Sequence, residues 1–172
     1  MYKYVILPTF ISSKSFHYMY LKLIANNQYP KFEVYDEGQL VVGIKIDPEM
    51  QAVRVTYKEN RRVFFIIEEK FRKASILTLL NEYSQPLGSL VKDKSNNSGQ
   101  IEIEEIKLKY KLADTPEKQI SLFEINNPAA VLNCKIEIDA LPSVMNNINY
   151  LLFGLSWVAF LVKEEKEILQ FA

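Results

Sequence analysis

Most of the first 140 residues show the alternation of apolar and polar positions that is typical of β-strands. Aromatic and β-branched residues are dense, and turn signals recur at intervals of roughly 8–12 residues. In residues 51–58, the side chains of Val53, Val55 and Tyr57 alternate with polar ones, which predicts a strand with one buried face. Residues 63–67 are apolar without interruption, which predicts a strand covered on both faces.

Turn signals divide the rest of this region into further strands. Residues 34–40 predict two strands closed by an Asp36-Glu37-Gly38 turn. Residues 101–112 predict one long strand whose apolar positions cannot all share a face, so we expect a bulge near Glu104-Glu105. Two more strands and a polar loop are predicted at residues 121–125, 131–138 and 92–99, respectively.

A weak internal repeat relates two segments of the predicted sheet. Residues 32–37 with the later Gly43 are echoed, at a constant offset, by residues 77–82 with the later Gly88. The shared pattern predicts a strand, a turn and a second strand, with a glycine where a neighbouring chain approaches closely.

The repeat also bears on an ambiguous segment, residues 71–83. Leu77, Leu80 and Tyr83 have helical spacing, so the segment can be read as an amphipathic helix. Its match to the first hairpin favours a strand, and the helix is the alternative.

The C-terminal part of the chain has a different pattern. Over residues 144–162 the apolar side chains lie on all sides of a predicted helix, with Ser143 as the expected N-cap. A helix that is apolar on every side is buried on every side. Residues 163–167 are all charged, so we expect them to be exposed to solvent, and residues 168–171 predict a last short strand. Many strands followed by such a helix indicate a mainly β fold, a closed sheet wrapped around the helix, as one domain over residues 1–172.

The apolar run at residues 150–162 is also the main membrane candidate. A membrane-spanning helix needs about 20 apolar residues, and this run is shorter. Asn146, Asn147 and Asn149 lie just before it and are costly in hydrocarbon. We therefore expect a buried helix, with a membrane anchor as the alternative. The N-terminus lacks the long apolar stretch of a signal peptide.

This layout resembles the tubby C-terminal-like superfamily, which includes LURP-one-related and phospholipid-scramblase-type domains. The residues that carry the resemblance are the Asp36-Glu37-Gly38 hairpin with Gly43, its echo at Asn81-Glu82 with Gly88, and the apolar helix. The resemblance implies a barrel of about twelve strands threaded by a hydrophobic helix. The high Lys, Asn and Ile content is similar to small bacterial members, many of them without an assigned activity. Tubby domains bind phosphoinositides through basic side chains on the outside of the barrel. The resemblance does not match these binding residues to particular residues of this chain.

Composition narrows the possible partners. Lys+Arg and Asp+Glu both number 21, so the formal net charge is zero and no basic excess favours nucleic acid. Tyrosine and phenylalanine are abundant. We attribute this abundance to the preference of aromatic residues for strands and to core packing, and not to the stacking of nucleic-acid bases. Cys134 is the only cysteine, so no intramolecular disulfide can form and we expect a cytoplasmic protein.

The sequence offers little that is typical of a catalytic site. The single histidine, His17, and Cys134 both lie in strand-like contexts without a turn or polar cluster that exposes a nucleophile. The glycines form no phosphate-binding loop, and the adjacent pairs Glu68-Glu69 and Glu104-Glu105 point to opposite faces of a strand. We therefore expect a protein that is not an enzyme and has no cofactor and no structural metal.

Basic residues are the candidate binding groups. Lys107, Lys109 and Lys111 alternate with apolar residues, so their ammonium groups project from one face of a strand. Arg61-Arg62 and Arg72-Lys73 bracket another strand. These clusters can hold anionic lipid headgroups or an acidic partner, which predicts a binding module that is peripheral to a membrane. The alternatives are a solvated barrel surface and a protein-interaction role of the antitoxin or immunity type. The oligomeric state stays open.

Overall fold

The fold is seen in a computed structural model, which describes residues 19–25, 28–71, 75–93, 97–114 and 116–170. The described part contains eleven strands, a short 3-10 turn at Ile138–Ala140 and two helices. The strands are β1 (Met19–Ala25), β2 (Lys31–Asp36), β3 (Gln39–Asp47), β4 (Ala52–Tyr57), β5 (Asn60–Lys70), β6 (Ser75–Leu80), β7 (Pro86–Lys92), β8 (Ser98–Ile103), β9 (Ile106–Asp114), β10 (Lys118–Glu124) and β11 (Ala130–Ile136). The helices are α1 (Leu141–Asn146) and α2 (Ile148–Gln170).

The eleven strands form a closed barrel in which each strand pairs with its neighbours in the chain. These consecutive pairs are all antiparallel, and the barrel closes through a parallel pairing of β1 with β11. The parallel closure follows from the odd number of strands, because the first and last strands of an up-and-down sheet with an odd count run in the same direction. This closing pairing covers three residue pairs, from Met19–Cys134 to Leu21–Ile136.

Helix α2 fills the inside of the barrel. Every residue from 151 to 159 is buried, on all sides of the helix, and α2 packs against β3, β4, β8 and β9. The helix lies close to the sheet at Gly154, where an added Cβ would lie 3.2 Å from the Val55 side chain and 3.4 Å from that of Ile44. The mainly β barrel around a C-terminal helix is thus confirmed, with eleven described strands instead of about twelve.

Two ion pairs fix the helix where it leaves the barrel. Lys58, just after β4, lies 2.7 Å from Glu165, and Lys163 lies 2.9 Å from Glu124 at the end of β10. The Tyr57 hydroxyl also points at the Glu165 carboxylate, at 3.5 Å. Burial and the Glu165 charge raise the pKa of Tyr57. The exit end of α2 is therefore tied to two separate strands of the rim.

Several strand predictions are confirmed. Asp36 and Gln39 pair across a two-residue turn in which Glu37 and Gly38 both have positive φ, at 48° and 80°. This is the geometry that matches the twist of the flanking strands. Val53, Val55 and Tyr57 of β4 face the core, as their alternation predicts. The ambiguous segment 71–83 contains strand β6 and no helix among its described residues.

The prediction that residues 63–67 are covered on both faces is wrong. Phe64 and Ile66 are buried in the barrel, whereas Val63 and Phe65 point outward and are only partly buried. Ile67 is 46% exposed. The helix fills only the inner side of the sheet, and no second layer of described residues covers the outer side of β5.

The long strand predicted over residues 101–112 is two strands. β8 ends at Ile103 and β9 begins at Ile106, and these two residues pair across a tight turn. Glu104 adopts a positive φ of 52°, so the chain reverses there instead of forming a bulge. The reversal places the apolar residues of both halves on the inner face. The loop predicted at 92–99 is also shorter, because β7 extends to Lys92 and β8 starts at Ser98.

The C-terminal helix differs from its prediction at both ends. α1 and α2 meet at Asn147 with a bend of 99°, so one helix over 144–162 becomes a short helix and a long one. Ser143 lies inside α1, which Ala140 caps, and is therefore not an N-cap. The chain remains helical to Gln170, so the short strand predicted at 168–171 is absent from its described residues.

The membrane criterion of length and hydropathy is met by neither described helix alone. Only the bent pair Ile138–Asn146 and Ile148–Gln170, taken together, reaches the required length and composition.

The glycines of the internal repeat differ in how closely the chain approaches them. An added Cβ at Gly88 would lie 1.9 Å from the backbone oxygen of Glu102. At Gly43 the nearest atom would be Thr56 Cβ at 4.0 Å, an ordinary contact. The predicted close approach is therefore confirmed at Gly88 and wrong at Gly43.

We predict that Gly88→Ala destabilises the fold by about 1–3 kcal/mol, because β7 must move away from β8. Gly43→Ala is the matched control and is expected to be neutral or stabilising by about 0.5–1 kcal/mol, since alanine loses less conformational entropy. Urea denaturation of both variants measures the two free energies. Equal stability of the two variants would contradict the register of β7 against β8.

Candidate functional site

The three lysines of β9 lie on the outer face of the barrel. Leu108 and Tyr110 are buried, at 1% and 2% exposure, whereas Lys107, Lys109 and Lys111 are exposed. The predicted alternation on this strand is therefore confirmed. Successive side chains on one face of a strand are about 7 Å apart, so one phosphate or carboxylate group can lie between two of these ammonium groups.

The neighbouring strands give the lysines different surroundings. Lys107 lies opposite Glu102 on β8, with 3.7 Å between its ammonium group and the carboxylate. Lys109 lies between Gln100 and Phe123, which contribute no charge. Among the described residues, therefore, Lys107 has a carboxylate partner and Lys109 has none.

Lys111 lies between two serines, Ser98 on β8 and Ser121 on β10. Ser121 is only 7% exposed although it points outward. The Gln119 side-chain amide donates hydrogen bonds to the Ser121 hydroxyl, at 2.9 Å, and to the side-chain oxygen Oδ1 of Asn133, at 3.1 Å. The Ser98 hydroxyl donates a hydrogen bond to the Asp93 carboxylate at 2.7 Å. Lys111 is therefore flanked by hydroxyl groups, and in the described structure it makes no ion pair.

A cleft of about 670 Å³ opens beside Lys109 and Lys111. Ser98, Gln100 and Phe123 contribute to its walls, and Asp93 and Asn97 lie at the β7–β8 end. A second depression of about 390 Å³, bounded by residues 123–128, lies on the other side of Lys109 and Phe123. These two residues thus form a ridge between two concave surfaces. We call Lys109, Lys111 and the two concave surfaces beside them the β9 cleft region.

Tyr110 forms part of the cleft wall from the inner side of β9. Its ring lies against Gly99, where an added Cβ would be 2.5 Å from the ring and 2.4 Å from the Val91 carbonyl oxygen. Burial, with a smaller effect of the Asp93 carboxylate, raises the pKa of Tyr110 to about 12. The tyrosine is therefore neutral at physiological pH.

The second basic cluster lies elsewhere on the barrel. Arg61 is exposed on the outer face of β5, whereas Arg62 points to the rim and lies 3.9 Å from Glu82. Arg72 and Lys73 lie outside the described residues. Three strands, β6 to β8, separate β5 from β9. The structure therefore does not bring the arginines of β5 and the lysines of β9 into one patch.

The Cys134 side chain is fully buried in the core. Burial strongly raises the pKa of its thiol, so it is protonated and shielded. His17 lies outside the described residues, so the Cys–His pair considered from the sequence has no described geometry. Within the described ranges, no group of three or more His, Cys, Asp or Glu side chains is arranged to hold a metal ion.

No family model, curated protein or solved structure matches this chain. The resemblance to the tubby C-terminal-like superfamily therefore stays a prediction.

The residues that line the cleft with the lysines were not identified from the sequence. Ser98, Gln100 and Phe123 come from two other strands, and only the pairing register brings them to Lys109 and Lys111. β9 forms hairpins with the strands just before and just after it in the chain, so its neighbours could be predicted from a correct assignment of the strands. The prediction of one strand over residues 101–112 merges β8 with β9 and hides this pairing.

We predict that alkaline destabilisation of the protein depends in part on Tyr110. In the unfolded chain a tyrosine loses its proton near pH 10, whereas in the folded protein Tyr110 loses it at about pH 12. Its contribution to stability is therefore constant below pH 10 and is lost between pH 10 and 12. Thermal unfolding of wild type and Tyr110→Phe across this range measures the difference. The Tm of the variant should fall less steeply, and identical slopes would contradict a buried Tyr110.

Proposed function

We propose that the protein is a non-catalytic binding module that holds anionic groups at the β9 cleft region, with the phosphate-bearing headgroups of a membrane surface as its ligand. The observation that carries the proposal is that Lys109 and Lys111 are exposed beside a cleft, with no carboxylate partner among the described residues. An acidic protein segment offers the same charges and is the competing ligand.

The surroundings of the two lysines suit an anion better than a cation. Ser121 and Gln100 present neutral hydroxyl and amide groups, which can donate hydrogen bonds to phosphate oxygens. The one carboxylate that lines the cleft, Asp93, lies at its β7–β8 end and accepts a hydrogen bond from Ser98 at 2.7 Å. Phe123 adds an apolar surface beside them. Exposed lysines that neighbour carboxylates are already neutralised, as at Lys107 with Glu102. The proposal therefore rests on Lys109 and Lys111, with Lys107 as a weaker contributor.

The expected affinity is modest. A lysine near an anionic membrane contributes about 1 kcal/mol, so two or three of them give weak binding that salt reduces. The zero net charge of the chain adds no long-range attraction. We propose a cytoplasmic protein that is peripheral to the membrane. Its barrel around an internal helix also supports membership of the tubby-like superfamily, as part of the same proposal.

The proposed absence of catalysis is supported by the state of the one cysteine. Cys134 is fully buried and its thiol is protonated, so it cannot attack a substrate in the folded protein. The described carboxylates lie mainly at turns, rims and outer faces. The described residues therefore support binding rather than a reaction.

We predict that the purified protein floats with vesicles of phosphatidylcholine and phosphatidylserine at low salt, and that physiological salt weakens this binding. Lys109→Glu combined with Lys111→Glu should abolish it. Lys22→Glu combined with Lys45→Glu is the matched control, because both residues are exposed on other strands and the change in charge is the same. Arg61→Glu combined with Arg62→Glu tests the second basic cluster in the same way.

Three results would decide against the proposal. Equal loss of binding in the control would show a non-specific effect of net charge. Salt-resistant binding to pure phosphatidylcholine would indicate insertion of apolar residues, as a membrane anchor requires. No binding to any vesicle, together with recovery of one stoichiometric acidic or other protein partner, would favour a protein-interaction module.

A further inference from the structure

The outer faces of β5, β6 and β7 carry an apolar patch that the core does not use. Its members point away from the barrel interior, and none belongs to the core or packs against it. Ile67 and Val91 are 46% and 44% exposed, and the others are partly buried. We call this set the outer apolar patch: Val63, Phe65, Ile67, Ile76, Leu80 and Val91.

The register groups these side chains on one face. Phe65 pairs directly with Leu80, and Ile76 pairs with Val91, with Thr78 and Ser89 as the polar pair between them. The apolar centre is therefore the β5 row with Leu80, and Ile76 and Val91 lie toward the Glu69 end. Exposed apolar side chains that are grouped on one face and rimmed by polar residues are candidate interaction sites. The uninterrupted apolar run at residues 63–67 predicted a second covering layer, and among the described residues no such layer exists.

The charges around the patch indicate which partner covers it. Along the outer face of β5 the order is Arg61, then Val63, Phe65 and Ile67, then Glu69. The row therefore has a positive end, an apolar centre and a negative end, four residues on either side of Phe65. Arg61 and Glu69 are both exposed, and neither forms an ion pair within the described part of the chain.

Such a row is complementary to itself. When two copies face each other across a two-fold axis at Phe65, their β5 strands run antiparallel. Arg61 of each copy then faces Glu69 of the other, and the apolar centres meet. This is the condition for an isologous interface, in which one patch serves both subunits. An anionic membrane is a poorer fit, because Glu69 lies within the contact surface.

We propose that the protein forms a homodimer through the outer apolar patch, with reciprocal Arg61–Glu69 ion pairs. Three strands by five residues give a flat area on the order of 250 Å² per copy, from strand spacings of about 4.8 Å and rises of about 3.4 Å. Stable complexes bury about 800 Å² per partner, so the dimer is weak and depends on concentration.

The proposed dimer is independent of the anionic site. The charged row of β5 is separated from β9 by three strands, and only Val91, at the margin of the patch, lies near the cleft, where it pairs with Gln100 on β8. Contact centred on Phe65 therefore leaves Lys109 and Lys111 exposed. Failure of vesicle binding therefore does not affect this inference, and a monomeric protein can still bind vesicles.

Sedimentation velocity of the purified protein, from low micromolar to near-millimolar concentration, tests the dimer. We expect a reversible monomer–dimer equilibrium. Arg61→Glu and Glu69→Arg each place like charges opposite one another twice in the homodimer, and each should weaken it at least about tenfold. An equimolar mixture of these two variants restores both attractive pairs and should recover dimerisation as a heterodimer.

Two further variants separate the interface from general effects. Ile67→Lys places a charge in the exposed centre of the patch and should abolish the dimer, while circular dichroism shows that the barrel is folded. Lys22→Glu is a charge reversal on β1, outside the patch, and should leave the dissociation constant unchanged. A protein that is monomeric at every concentration would overturn the inference, as would association that Ile67→Lys does not reduce. Failure of the mixed variants to associate would overturn the two-fold arrangement.

Discussion

The structure depends on the burial of one helix that is apolar on every side. Side chains from Leu151 to Ala159 point in all directions around α2, so no single packed face can shield them from water. A closed barrel surrounds the helix completely, and eleven strands make it wide enough to do so. Gly154 allows α2 to approach β3 and β4 closely. The ion pairs at Lys58 and Lys163 hold its exit end at the rim.

This arrangement determines what the outside of the barrel can do. The helix covers the inward-facing side chains of the strands it contacts. The alternate, outward-facing side chains of these strands are therefore not needed to form the core. On β9 those positions are lysines, and on β5 they are mainly apolar. The β5 and β9 rows are separated by three strands and differ in chemistry. We therefore assign them separate proposed roles, an anionic ligand at β9 and a second copy of the chain at β5.

The sequence predicts the fold better than the sites, for a physical reason. The inward faces of β4 and β9 follow from local alternation, and burial of α2 follows from its composition, so both are readable from single segments. The predictions are wrong where the burial or backbone conformation of a segment depends on residues that are distant in the sequence. The 63–67 run predicts a second layer that the described structure lacks, and Glu104 reverses the chain through a positive φ that its residue type does not favour. The walls of the β9 cleft depend on register, which connects Lys109 with Phe123 only after the barrel is formed.

The most direct test of the central claim uses Trp157, the only tryptophan in the chain. It lies on α2, is 6% exposed, and packs edge-to-face against Phe64 with ring centroids 5.7 Å apart. If α2 fills the barrel, the native protein has a blue-shifted emission relative to the urea-unfolded chain and strong protection from acrylamide quenching, and both are unchanged when anionic vesicles are added. Red-shifted and readily quenched emission from the native protein, or protection that appears only with vesicles, would show that α2 does not fill the barrel.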